Sequence, residues 1–265
     1  MVNMIDIEQF LSSLRGAPNV VYVTNPGNGG DNLIGCAALQ QLHKLGISFE
    51  FGAFNQIYQG KVLLYAGGGN FVPMYPHFKH FLSNNVMGHG NRIVLLPHTV
   101  YGYDKILSEL PDNVAIVCRE PVSYEYVARH MTHKGNALLA HDMAFYLDLA
   151  QLGIEPRKGT KDTLHAFRTD VETNPNLMVP NDNIDVSNLF NRGTHTPELL
   201  YTVTKDFLDF LNDYNTIKTN RLHVAIGAAI LGKRVCFYNN SYFKCKAIFE
   251  FSLKQRYPGV EFIDD

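Results

Sequence analysis

No apolar run in this chain approaches the roughly 18 residues of a membrane-spanning helix, so the sequence predicts no transmembrane segment. Neither sign of charge is in excess: 23 Lys and Arg stand against 25 Asp and Glu, a net charge of −2. That balance excludes the global basic field by which a chain gathers nucleic acid or anionic lipid. Any anionic substrate must then be held by local Arg, Lys and His side chains and by helix termini. The four cysteines, Cys36, Cys118, Cys236 and Cys245, include no CxxC pair, which favours reduced, mostly buried thiols over a disulfide frame. Walker, EF-hand and Gly-x-Ser-x-Gly sequences are missing, and no cluster has metal-ligand spacing. The first residues, MVNMIDIEQFLSSLRGAP, have neither the charged start nor the long apolar core of a signal peptide, so a cytoplasmic protein is expected.

What is present is a folded α/β chain. With 265 residues, 46% hydrophobic and 18% charged, it has enough material for one large domain or two small ones. Short apolar runs at 19–24, 61–66, 92–97, 113–118 and 136–140 alternate with helical patterns near 31–45, 76–87, 103–110 and 121–132. Continuous apolar strands separated by helices predict a parallel sheet covered on both faces, with ligands beyond the strands' C-terminal ends. The polar stretch GIEPRKGTKD (153–162) reads as a boundary. Strands at 163–167, 215–219 and 234–238 follow, with helices near 197–213, 221–231 and 243–254 and an irregular Asn-rich stretch at 174–196. Two Rossmann-like domains, 1–152 and 163–265, facing a cleft are the simplest architecture.

Polar groups collect where those strands end. GNGGD (27–31) has the Gly-rich turn of a phosphate loop but lacks the third glycine of GxGxxG, and Asp31 would repel a pyrophosphate. A carboxylate at a helix N-terminus is stabilised by about 0.3–1 kcal/mol, so Asp31 suits hydroxyl binding or base chemistry. GGGNF (67–71) lets the backbone approach a ligand, which makes Gly68, Gly69 and Asn70 candidate substrate contacts, although a tight strand-to-helix turn explains the glycines equally well. His98 follows another strand and is read as either structural or catalytic. Arg119 precedes Pro121, a suitable first helical residue. In TNRLHVAI (219–226), Asn220 as N-cap would place Arg221 and His223 in a first turn, making an anion site unless a nearby carboxylate claims Arg221. Lys244 and Lys246 lie at a similar edge. His77 and His80 at i,i+3 spacing read as surface or packing groups, and His195 has no company that suggests chemistry.

Taken together, GNGGDNLI (27–34), YAGGGNF (65–71), LLPHTVYG (95–102), CREPVSYEYV (118–127), HDMAF (141–145), FRTDVE (167–172), TNRLHVAI (219–226) and NSYFKCKAIFE (240–250) resemble the polysaccharide pyruvyl transferase family, in its order and over nearly the whole chain. The TxRLH element is the most specific of them. Asn220 departs from the Asp that many members carry there, and His98 matches a position that holds His or Gln.

The resemblance implies a fold like GT-B glycosyltransferases. It implies transfer of a pyruvyl group from phosphoenolpyruvate to two hydroxyls of a sugar, giving a cyclic ketal and phosphate. The acceptor would be a glycan, free or lipid-linked, and a lipid-linked one would bring the enzyme to the membrane face. No cofactor, metal or nucleic acid is implied. The family's donor-binding arginines fall on Arg119 and Arg221, with His223 beside the phosphate. On this reading Arg221, His223 and the helix end hold phosphate, Arg119 holds the carboxylate or shares the phosphate, and His98 and Asp31 transfer protons. A nucleotide-sugar glycosyltransferase of the same fold and a non-catalytic carbohydrate-binding protein are the competing expectations.

Overall fold

The structure, a computed structural model, describes residues 4–264. In chain order come α1 (Ile7–Ser12), β1 (Val20–Val23), α2 (Gly29–Lys44), β2 (Glu50–Gly52), β3 (Val62–Tyr65), β4 (Gly68–Phe71), α3 (His77–Asn85), β5 (Arg92–Val100), α4 (Asp104–Glu109), β6 (Val114–Cys118), α5 (Pro121–His130) and β7 (Ala137–Leu139). After the polar connection come β8 (Lys161–His165), α6 (Val186–Leu189), α7 (Pro197–Asn212), β9 (Tyr214–Thr219), α8 (Leu222–Ile230), β10 (Arg234–Tyr238), α9 (Lys244–Ile248) and β11 (Val260–Ile263). The closing helix predicted near 243–254 is present, its α-helical first half continuing as a π-turn over Phe249–Leu253.

All strands pair in parallel. The first sheet runs β2-β1-β3-β5-β6-β7, with β4 paired to the far end of β5, and the second runs β11-β10-β9-β8. In the first sheet the chain leaves β1 towards β2 and returns to its other side at β3. Such a reversal opens a crevice beyond the carboxyl ends of the two strands. β1, β3, β5 and β6 are apolar and almost wholly buried because helices cover both faces.

Two apolar clusters hold the layers together. One lies on the α3–α5 face of the first sheet, through Phe78, Phe81, Leu107 and Val127. The other spans both sheets, joining Val20, Leu64 and Val117 of the first to Leu164, Ile217 and Val235 of the second. Between them lies α2, whose Gly35 sits so close to α7 that a Cβ there would be 2.8 Å from Leu200. Buried on nearly every side, α2 carries Gly29, Gly30 and Asp31 at a fixed place between the sheets.

Candidate active site

Both sheets turn their C-terminal strand ends toward one cleft of about 580 Å³. Asn25, Asp31, Gly69, Asn70 and Arg119 reach it from the first sheet, and Arg168, Glu172, Arg221, His223 and Lys244 from the second. Gly69 and Asn70 lie in the short β4 that follows β3, and the others sit past a strand or at the start of the helix that follows, as crevice binding in parallel sheets requires. The volume lies in the range of small-ligand sites.

Asp31 answers the question posed by its Gly-rich loop. Asn28 caps α2, its side chain accepting from Gly30 N at 3.0 Å, while Asp31 accepts from Asn28 N at 2.9 Å and from Asn25 Nδ2 at 2.9 Å. The helix end thus binds its own carboxylate. Burial pushes the Asp31 carboxyl up, and the charges of His223 and Arg119 with the two hydrogen bonds oppose the rise. Gly27 is obligatory here, since a Cβ would lie 1.8 Å from Asp31 Oδ2.

Arg119 is fully buried yet reaches the cleft. Its Nε donates to Thr99 Oγ1 at 2.9 Å and its Nη1 to Asp142 Oδ2 at 2.8 Å. Nη2 is the remaining edge, directed past Gly69, where a Cβ would come within 2.9 Å of it. Asp142 also lies 3.4 Å from His223 Nε2 and accepts from Ala144 N. Burial alone would raise the Asp142 carboxyl, but His223 and Arg119 outweigh it and hold it far below the usual range. Nδ1 of His223 packs over Gly30, which must lack a side chain to admit the ring.

The helix carrying His223 begins one residue later than expected. Thr219 Oγ1 accepts from Arg221 N at 2.9 Å, making Arg221 the N-cap, while Asn220 Oδ1 instead accepts from Arg168 N. Leu222, His223 and Val224 therefore supply the free first-turn N–H groups. Arg221 itself is claimed by carboxylates: Nε and Nη2 donate to Asp185 at 2.9 and 2.5 Å, and Nη1 lies 2.8 Å from Asp170. It lines the cleft as a partnered group.

Arg168 donates to Asp170 through Nε at 2.7 Å and to Glu172 through Nη1 at 2.5 Å, and Glu172 also accepts from Lys244. Burial would raise Glu172, yet Lys244 and Arg168 bring it down to about 2. Lys244 is lowered by burial, against the opposing charge of Glu172.

Two expected contacts lie elsewhere. His98 is fully buried and does not line the cleft. Its strand does not stop at Pro97 but continues to Val100, because β4 pairs with the extension, Gly68 opposite His98. A pairing irregularity between Leu95 and His98 accommodates the proline, which cannot donate a ladder bond. Asn70 N–H donates to His98 Nε2 at 3.0 Å, so the imidazole stands behind Asn70 as its support. Burial first, then the Arg119 charge, push that imidazole well below its ordinary range. Gly68, with φ +140°, faces Asn25 inside the fold, where a Cβ would be 2.9 Å from Asn25 Nδ2. Changing His98 to Gln is expected to leave turnover within about tenfold of wild type, whereas general acid–base residues typically contribute about 10²–10⁴-fold. Steady-state rates checked alongside unfolding midpoints would decide it; a larger loss at unchanged stability returns His98 to the proton-transfer machinery.

Several site residues were not anticipated. Asp142, Arg168 and Glu172 fall inside recognisable stretches but had no assigned role, and Asp185 lies in the Asn-rich segment. Asn25 stands directly past β1, a position that the strand-end rule itself picks out. His77, read as a surface or packing group, lines the cleft mouth. Among the described residues no group of three or more His, Cys, Asp or Glu is arranged to hold a metal ion, and the four cysteines are free.

Comparison with known proteins gives a consistent picture. The family model described as polysaccharide pyruvyl transferase matches residues 28–242. A Bacillus subtilis (strain 168) protein named "Putative pyruvyl transferase EpsO" is 25% identical over 291 aligned positions, covering 91% of this chain and 89% of that one. The crystal structure of a functionally uncharacterized protein from Klebsiella pneumoniae subsp. pneumoniae NTUH-K2044 matches with TM-score 0.86 at 30% identity, with both chains covered in full.

Proposed function

The chain belongs to the polysaccharide pyruvyl transferase family, and from that premise we propose that it moves the pyruvyl group of phosphoenolpyruvate onto two hydroxyls of a glycan sugar. The observation that carries this reading is the convergence of Arg119 Nη2, His223 and the open first turn of α8 on one cleft that also holds a half-buried carboxyl, Asp31. A donor with a carboxylate and a phosphate needs at least two cationic anchors, and each charge-assisted hydrogen bond contributes about 1.5–3 kcal/mol.

Two sugar O–H groups add across C2 of phosphoenolpyruvate. One proton goes to the methylene carbon, which becomes the ketal methyl, and the other leaves with inorganic phosphate. The α8 N–H groups, His223 and Arg119 hold the donor's anionic groups and stabilise the departing phosphate. Arg221, satisfied by Asp170 and Asp185, shapes the phosphate end and offers its outer N–H groups. Asp31 is the proton-transfer group: its raised carboxyl can donate to carbon or, ionised, accept from a hydroxyl. Gly69, Asn70 and Lys244 border the donor, and no step is routed through a metal or cofactor.

The same reading divides the chain like a GT-B enzyme, with residues 1–152 on the acceptor side and 163–265 on the donor side. It places the protein in the cytoplasm, where phosphoenolpyruvate is made. The acceptor is a glycan, free or lipid-linked, that comes to the cleft from solvent or from the membrane face. Among the described residues no helix is long and apolar enough to cross a membrane.

Thermal unfolding with phosphoenolpyruvate, UDP or GDP tests the donor. Ligand at about 100 times its dissociation constant should stabilise the fold by about 2.7 kcal/mol. Asp31→Asn is expected to keep that shift while lowering turnover by about 10²–10⁴-fold. Stabilisation by a nucleoside diphosphate and none by phosphoenolpyruvate would replace this reading with a glycosyltransferase.

A further inference from the structure

A second cavity of about 460 Å³ opens beside the cleft and shares Pro26 and Gly27 with it. Its chemistry is different. The main cleft is dense in Arg, Lys, Asp and Glu, whereas no Asp, Glu, Lys or Arg lines this groove. Phe54 stands on its wall, with its ring edge-on to His77 of the main cleft at 5.6 Å. The exposed side chains of Asn55, Gln56 and His195 line it as well and make no hydrogen bond within the described protein. Where the two spaces meet, the wall is Gly27, which has no side chain to cover the Asp31 carboxylate beneath it.

We propose that this groove is a subsite for an uncharged sugar unit of the acceptor, the neighbour of the residue that receives the pyruvyl group. The inference rests on the pyruvyl transfer reading and extends it to the acceptor. An aromatic wall, two free amides and an imidazole, with no Asp, Glu, Lys or Arg among them, match the faces and hydroxyls of a neutral hexose. They do not match a phosphate or a uronic acid. A glycan seated there presents its next sugar over Gly27, so the two hydroxyls to be joined arrive at Asp31 while the ionic cleft keeps the donor. The enzyme accordingly recognises at least a disaccharide, and the glycan's charge arrives with the ketal carboxylate.

The test uses the full chain and neutral trisaccharides of glucose, galactose and mannose, with uridine as the competing probe. Saturation-transfer NMR reads sugar binding, and thermal unfolding reads the shift given by phosphoenolpyruvate. At least one trisaccharide is expected to bind wild type below about 10 mM, a binding free energy of about −3 kcal/mol. Phe54→Ala should weaken that binding by about tenfold or more, equivalent to about 1.4 kcal/mol. Gln56→Ala, at an exposed position that leaves packing intact, should weaken it in the same direction, and neither variant should alter the phosphoenolpyruvate shift. Equal binding by wild type and both variants, no binding of any trisaccharide, or uridine taking the groove would each overturn the proposal. If phosphoenolpyruvate fails to stabilise wild type while Phe54→Ala still abolishes sugar binding, the donor reading falls and the subsite stands.

Discussion

Replacing Arg119 by Gln is expected to weaken phosphoenolpyruvate binding by about 10- to 150-fold, the loss of one charge-assisted contact worth about 1.5–3 kcal/mol. The same change should lower folding stability by about 3–5 kcal/mol, because Asp142, wholly buried, would lose its closest cation. His223, at 3.4 Å, is the only other side chain bonded to Asp142 among the described residues. Arg119→Lys separates the two effects. An ammonium restores charge beside Asp142 but cannot reach Thr99, Asp142 and the cleft at once, as the guanidinium does through Nε, Nη1 and Nη2. The Arg119→Lys protein should therefore recover most of the stability and little of the binding. Denaturant unfolding and thermal shift on wild type and the two variants give the two numbers independently. If the Lys variant binds phosphoenolpyruvate like wild type, the forked geometry is not what holds the donor.

Arg119 was legible in the sequence for a general reason. In parallel sheets, chemistry sits past the C-terminal strand ends, and the apolar runs marked those ends at Thr24, Ala66, Cys118, Thr219 and Tyr238, within one residue of the observed ends. Asp31, Gly69, Asn70, Arg119, Arg221, His223 and Lys244 all follow such ends and all line the cleft. The rule failed at His98 because β5 is lengthened by β4, a four-residue strand with two glycines that looked like a turn. Nothing local distinguishes such a strand from a turn; its partner, thirty residues on, makes it one. The cap at α8 shifted by one residue for a smaller reason: Asn220 Oδ1 is taken by Arg168 N, fifty-two residues away in sequence, while Thr219 Oγ1 holds Arg221 N. The carboxylates were harder to foresee. Asp142 and Arg119 are 23 residues apart, Asp185 and Arg221 36, and Glu172 and Lys244 72. One sequence shows cations that need partners but not which distant acid supplies each.

Acidification provides the second large effect, through Glu172. Its carboxyl is held at about 2 in the folded protein against an ordinary 4.5, since Lys244 and Arg168 overcome the burial that would raise it. A depressed folded value means that the unfolded chain binds the proton more readily. The contribution to stability is therefore complete above pH 4.5 and is lost as pH falls toward 2. The difference of 4.5 − 2 amounts to about 3 kcal/mol, with little screening because the side chain is 3% exposed. Glu172→Gln removes this acid-side loss and exposes its cause. Arg168 keeps Asp170, but Lys244 loses its carboxylate and, among the described residues, is left with a neutral amide and the face of the Tyr242 ring, 5.0 Å away. A buried ammonium left in that state should destabilise the variant by about 3–5 kcal/mol at neutral pH. Lys244 would then favour its neutral form, since burial already lowers it and Glu172 is the charge that opposes the fall. Urea unfolding of both proteins from about pH 7 down to about pH 3 should thus show two curves that converge as the medium becomes acidic. Parallel curves would mean that Glu172 titrates normally and that the Arg168–Glu172–Lys244 cluster does not govern acid stability.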